Sequence, residues 1–140
     1  MLRALRYYFD VVCPYSYILG FQVEVAEDDG LVEVDWLPFE LRPAPLPDPR
    51  GEYIRGHWRG QVYRQALEHG VEIHVPSHQP RSTLALTLHS LAVEEGRSQA
   101  YKDAAHRAFF VEGLDVSDES VLREAAQEAG LDADAAMEAA

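Results

Sequence analysis

The sequence predicts an α/β fold in which a parallel strand–helix–strand unit precedes a run of helices. Two short β-type runs, residues 5–12 and 31–39, flank one helix-length segment, which is the pattern of a parallel sheet. After a proline-rich stretch, glycine-punctuated segments carry the apolar spacing of helices to the end of the chain.

Residues 5–12 (LRYYFDVV) are rich in aromatic and β-branched types and read as a buried strand. Cys13-Pro14 punctuates it, and Pro14 suits the first position of a helix, where its missing N–H costs nothing. That helix runs from Tyr15 to about Asp28, with Ile18, Phe21 and Val25 toward the core, and Gly30 ends it. Residues 31–39 (LVEVDWLPF) alternate apolar and polar as a second strand does. Four prolines between Arg42 and Pro49 make the next stretch a loop. Residues 53–69 predict a helix with Tyr53, Trp58, Val62, Ala66 and Leu67 as its apolar residues, closed by Gly70. Residues 82–95 carry Leu84, Leu88 and Leu91 at helical spacing, and residues 99–111 place Tyr101, Ala105, Ala108 and Phe109 on one side. Ser117 is the expected N-cap of a helix over 118–129, and Asp132 of a last one.

At 140 residues the chain has the length of one domain and can bury a core without metal or disulfide staples. Its 47% hydrophobic and 26% charged residues exclude a disordered or low-complexity chain. No apolar run approaches the ~20 residues of a membrane helix. Asp10 interrupts the N-terminal apolar stretch, so no export signal is read, and the expectation is a cytoplasmic protein with no membrane partner. Twelve cations against 24 acids give a net charge of −12, which repels nucleic acid. From Glu112 to Ala140 nine acids face one cation, Arg123, and read as solvated helix faces.

Chemistry centres on the one cysteine, Cys13, which rules out an internal disulfide. A sulfur at a helix N-terminus faces unpaired N–H groups and the positive end of the helix dipole. Both favour thiolate, and such cysteines reach pKa values of about 3.5–7.5. Ser16, one turn on, is expected to donate to the sulfur. Because Ser16 cannot form a disulfide, a mixed disulfide on Cys13 has to be resolved by an outside thiol such as glutathione. Alternatively, Cys13 attacks no sulfur and only positions a bound thiol cofactor. The bland alternative is a small buried residue between strand and helix.

These residues carry a family resemblance. YYFDVVCPYSYILG resembles the active-site strand and helix of the DsbA-like branch of the thioredoxin superfamily. PFELRPAPLP is similar to the segment after the second strand in its dithiol–disulfide isomerases and hydroxychromene-carboxylate isomerases. FFVEGLDVSDESVLREAAQEAGLD resembles the helical insert of the same proteins, and STLALTLHSLAVEEG the helix before it. The resemblance implies a thioredoxin-like, DsbA-type α/β fold in a single domain. Residues 1–51 would be its βαβ half and 52–140 its helical insert, with the family's C-terminal strands and cis-proline turn absent from this sequence. It implies thiol–disulfide oxidoreductase or isomerase chemistry on protein or small-molecule disulfides, with Cys13 and Ser16 as the catalytic pair. It further implies no tightly bound cofactor, glutathione as the co-substrate and association as a homodimer.

Oxidoreductases of this branch carry Cys where Ser16 stands, and its isomerases and kappa-type transferases carry Ser where Cys13 stands. CPYS lies between them and resembles a monothiol glutaredoxin site. Two alternatives therefore stand beside the redox reading. One is a glutathione-dependent isomerase or transferase of small aromatic compounds, and the other is a non-catalytic truncated module. Pro14, Tyr15 and Tyr17 are placed to line a substrate or glutathione groove. Arg42 either pairs with a carboxylate such as glutathione's or pins the proline loop.

The six histidines, His57, His69, His74, His78, His89 and His106, lack metal-motif spacing and read as surface or helix-packing residues, so no metal is expected. Tyr7 and Tyr8 read as packing residues with wet hydroxyls, and Trp36 and Trp58 as core.

Overall fold

The computed structural model describes residues 2–140. Strand β1 (Arg3–Phe9) pairs in parallel with β2 (Val32–Pro38), in a register running from Arg3 opposite Val32 to Phe9 opposite Pro38. Helix α1 (Pro14–Asp28) joins them, with proline in its first turn. Gly30, at φ 72°, turns the chain out of α1 while the Leu31 N–H donates back to the Ala26 carbonyl at 2.9 Å. Beyond the proline loop come α2 (Glu52–His57), a wider π-helical turn (Trp58–Val62) and α3 (Tyr63–Glu68), which together form one continuous rod. Then follow α4 (Thr83–Glu94), α5 (Ser98–His106), a second π-helical turn (Arg107–Val111), α6 (Glu119–Glu128) and α7 (Ala133–Ala139). Among the described residues no helix is long and apolar enough to cross a membrane.

Several expected details are corrected. Strand β1 stops at Phe9, because the Asp10 carbonyl accepts the Cys13 N–H at 3.0 Å and closes a turn. Val11 and Val12 are buried in that turn instead of extending the ladder. On α1 the buried residues are Pro14, Tyr17, Ile18 and Gly20, whereas Phe21 and Val25 are exposed. Helix α1 is apolar on more than one side, and Tyr17 selects the buried one by stacking on Phe110 with ring centroids 4.2 Å apart. The N-cap of α6 is Asp118, whose carboxylate accepts the Ser120 N–H at 2.8 Å, not Ser117. Ser117 instead gives its N–H and hydroxyl to Asp115. An aspartate adds charge–dipole attraction that a serine lacks. Asp132 caps α7 through the Ala135 N–H, as expected.

The rod from α2 to α3 buries Ile54, Trp58, Val62 and Ala66, a stripe with a step of four. A regular helix of 3.6 residues per turn carries such a stripe round by about 40° at each step. The π-helical turn at Trp58–Val62 is wider and takes up that drift. Tyr53 and Leu67, expected inside, therefore stand outside, and Ile54 takes their place.

The helices are fastened to the sheet by polar groups as well as apolar ones. Lys102 of α5 is only 2% exposed. Its Nζ lies 2.8 Å from Glu24 Oε1 of α1 and 3.2 Å from the centroid of the Trp36 ring on β2. His89 and His106 are buried, edge-on to Phe9 with centroids 4.9 and 5.8 Å away. Both ring nitrogens of His89 and Nε2 of His106 have no partner among the described residues. Burial, and then the neighbouring Lys102 charge, push their pKa values down to about 4 and about 3.

Candidate functional site

Cys13 is the N-cap residue of α1, in extended backbone at φ −86°, ψ 114°. Its carbonyl accepts the Tyr17 N–H at 3.2 Å, the bond that starts the helix. The side chain is half-buried, and among the described residues it makes no capping hydrogen bond. A position usually given to an oxygen that caps the backbone is thus given to a sulfur left without a partner.

The turn beneath the sulfur is tied to the main chain. The Ser16 hydroxyl donates to the carbonyls of Cys13, at 3.1 Å, and Asp10, at 3.4 Å. This corrects the expectation that the hydroxyl serves the sulfur, since the carbonyls of its own turn satisfy it. The Tyr7 hydroxyl donates to the Ser16 carbonyl at 2.7 Å, joining β1 to the first turn of α1. Burial, followed by the negative charges of Cys13 and Glu24, pushes the Tyr7 pKa up to about 12, so the phenol stays protonated and remains a donor. Tyr7→Phe is expected to lower the free energy of unfolding by about 1 kcal/mol, measured by urea denaturation. An unchanged midpoint would show that the bond contributes nothing. Tyr8, by contrast, is exposed.

Asp10 is the site residue that the sequence reading passed over. It is 3% exposed, and its two carboxylate oxygens accept the N–H groups of Val12 at 3.3 Å and Leu41 at 2.9 Å. Burial raises its pKa, opposed by hydrogen bonds from Leu41, Ser82 and Val12, with the Glu40 charge adding to the rise. The signal was present as an acid inside the apolar run FDVV. On the other side of the turn, Gln79 Nε2 donates to the Val12 carbonyl at 2.7 Å, and Arg42 Nη1 donates to Gln79 Oε1 at 3.5 Å. Arg42 is therefore linked to the turn through Gln79, and its own carbonyl, at the start of the proline loop, accepts from Arg81, two residues before α4.

Tyr15 and Tyr17, adjacent in the reading, separate in the structure. Tyr17 is buried against Phe110, so it is held in the packing between helices and not at the mouth of the site. Tyr15 is 41% exposed, with its hydroxyl 3.1 Å from His57 Nε2 and 3.4 Å from Gln61 Oε1. Desolvation and then the Cys13 charge raise its pKa. His57, read from the sequence only as a surface or packing residue, stacks on Tyr53 with centroids 5.9 Å apart. Nothing in its sequence neighbourhood announces contact with a residue 42 positions away. Among the described residues no group of three or more His, Cys, Asp or Glu side chains could hold a metal ion.

Comparison with known proteins places this geometry. The chain is 35% identical over 136 residues to the uncharacterized protein YwbO of Bacillus subtilis, covering 91% of this chain and 66% of that protein. It is 27% identical over 150 residues to a 2-hydroxychromene-2-carboxylate isomerase of Sphingobium xenophagum, covering 99% and 74% of the two chains. A probable DsbA oxidoreductase from Streptomyces coelicolor superposes with a TM-score of 0.70 at 26% identity, over 95% of this chain and 65% of that one. The cytosolic disulfide reductase DsbM of Pseudomonas aeruginosa, determined with GSH, superposes with a TM-score of 0.75 over 97% of this chain and 70% of that one, and at 19% identity the likeness is one of fold. The chain thus spans about two thirds of the length of these relatives. With residues 4–140 matching the description DSBA-like thioredoxin domain, the chain belongs to that family.

Proposed function

We propose that this chain performs thiol–disulfide exchange with Cys13 as its single nucleophile and glutathione as the outside thiol that resolves it. The observation that carries the reading is the place of Cys13: the chain's one cysteine caps α1 with a half-exposed, uncommitted sulfur. In the first step the Cys13 thiolate attacks one sulfur of a disulfide. A new S–S bond forms as the old one breaks, and the electron pair leaves with the second sulfur as thiolate. Glutathione thiolate then attacks the outer sulfur of the mixed disulfide. Cys13 departs as thiolate, and the substrate thiol leaves joined to glutathione. The open N–H groups of the first turn of α1 and the positive end of its dipole favour the anionic sulfur at both ends of the cycle. Ser16 and Tyr7 keep that turn in place. Family membership supports the chemistry, and the disulfide reductase of the same fold determined with GSH supports the choice of thiol. A cytoplasmic, homodimeric protein acting on protein or small-molecule disulfides completes the reading.

Incubation with oxidised glutathione is expected to give one glutathione adduct by intact-mass spectrometry. It should map to Cys13, be absent from Cys13→Ser and be reversed by reduced glutathione. A folded chain that stays unmodified, while the urea-unfolded chain reacts, overturns the reading.

The similarity to a 2-hydroxychromene-2-carboxylate isomerase over nearly the whole chain favours a second reading. There, Cys13 and Ser16 orient the thiolate of bound glutathione for isomerisation of a small aromatic compound. Cys13→Ser separates the two, because it abolishes exchange in the first reading and leaves glutathione binding in the second.

A further inference from the structure

We infer that His57 is a positioning residue for this site: it holds the Tyr15 hydroxyl as the hydrogen-bond donor that meets the thiolate leaving when Cys13 attacks a disulfide. The inference rests on the reading of Cys13 as nucleophile and supplies what that reading lacks, a group to stabilise the departing charge.

Tyr15 lies in the first turn of α1, two positions from the sulfur, and its ring stands in solvent instead of packing into the core. An exposed phenol ordinarily swings freely, but this one is tied at its tip by two residues of a different element. His57 and Gln61 are four positions apart across the start of the π-helical turn. That wider turn lets both reach Tyr15 while Trp58 and Val62 stay buried. His57 is itself braced, face to face with Tyr53 and edge-on to the ring it holds, both at 5.9 Å.

The two bonds differ in kind. With its hydrogen on Nε2, the imidazole donates to the phenol oxygen at 3.1 Å, and the phenol donates to Gln61 at 3.4 Å. The second is at the weak end of hydrogen-bond lengths, so the phenol hydrogen is the one free to find a better acceptor. A sulfur taking on negative charge is such an acceptor. Hydrogen bonds with an ionised partner are about twice as strong as neutral ones, and the imidazole N–H polarises the phenol further. No proton is transferred in this step. The S–S electron pair goes to the leaving sulfur, Tyr15 donates a hydrogen bond to it, and the thiolate takes its proton from water after release.

Such a donor matters most where the leaving sulfur is most basic. The test is therefore the rate of Cys13 adduct formation with two disulfides, bis(hydroxyethyl) disulfide with an alkyl thiolate leaving group and dithiodipyridine with a delocalised aryl one. In both His57→Phe, which keeps the stacking, and Tyr15→Phe, the alkyl rate is expected to fall about tenfold further than the aryl rate. The double variant should be no worse than either single one, because the two act as a unit. His57→Gln, which keeps an N–H donor, should recover part of the loss. Equal slowing with both disulfides marks a merely structural role and overturns the inference, as does no slowing. If the wild-type protein forms no adduct with either disulfide, the reading of Cys13 fails and takes this inference with it.

Discussion

Replacing Glu24 with alanine is expected to destabilise the protein by about 3–5 kcal/mol, the cost of leaving a buried charge without its counter-ion. The stranded charge is Lys102, 2% exposed, with its ammonium held between the Glu24 carboxylate and the face of Trp36. Without Glu24 the ammonium keeps the indole, whose attraction is worth about 2 kcal/mol when desolvated and does not replace a carboxylate. The reverse change costs far less. Glu24 retains about a quarter of its side-chain exposure, accepts from Gln99 Nε2 at 3.0 Å, and keeps its contact with water. Lys102→Met, which fills the path of the aliphatic stem, is expected to be close to neutral, as replacements of buried ion pairs by apolar residues often are. Urea denaturation of the two single variants and the double gives the test. The double should recover most of what Glu24→Ala loses. Equal losses in the two single variants would show that the pair is not a buried charge under compulsion but an ordinary surface contact.

Acidification provides the second large effect, and its sign follows from the histidines. His89 has its pKa pushed down to about 4 by burial and then by Lys102, so the folded protein keeps it neutral where the unfolded chain already binds a proton. Stability from this group is intact above about pH 6.5 and drains away as the pH falls toward about 4. His106, pushed down to about 3, extends the same loss further. At about 1.4 kcal/mol per pH unit, His89 alone removes about 2 kcal/mol between pH 7 and about 4.5. Asp10 works the other way. Its raised pKa makes the folded state the better proton acceptor, so its contribution is present at low pH and is lost as the pH rises. The measurement is the stability difference between wild type and His89→Leu at both pH values. The leucine variant is expected to gain on wild type by about 2 kcal/mol at the lower pH, and a constant difference would refute the assignment. At neutral pH the variant should already be the more stable, because it removes two ring nitrogens that have no partner among the described residues.

What could be read from the sequence was local. The alternation of residues 31–39, the Cys13-Pro14 stop and Gly30 placed both strands and α1 within a few residues, because each signal acts on its own neighbours. The helical segments followed for the same reason. What could not be read was which apolar side of α1 would be covered, since Phe21 and Val25 satisfy helical spacing as well as Tyr17 does. The partners of Lys102 and His57 were equally hidden. Lys102 sits in the polar-looking run AYKDAAH, and only α1, 78 positions earlier in the chain, makes that place an interior. At the site, Cys13 and Ser16 were legible as a motif, but the Ser16 hydroxyl turns to the carbonyls of Cys13 and Asp10, and the second of these is within reach only because β1 ends at Phe9.

The wide turn at Trp58–Val62 makes the site sensitive to insertions and deletions. A helical turn of this kind holds one residue more than a regular one, and each residue of a regular helix advances the chain by about 1.5 Å. Deleting exposed Arg59 would leave a regular turn through the same full circle, so His57 and Tyr53 would keep their facing relative to Val62 and Ala66 but be drawn along the axis by about 1.5 Å, enough to break the contact of His57 with Tyr15. A single codon thus separates a tethered phenol from a free one without touching the strand or helix that carries the sulfur.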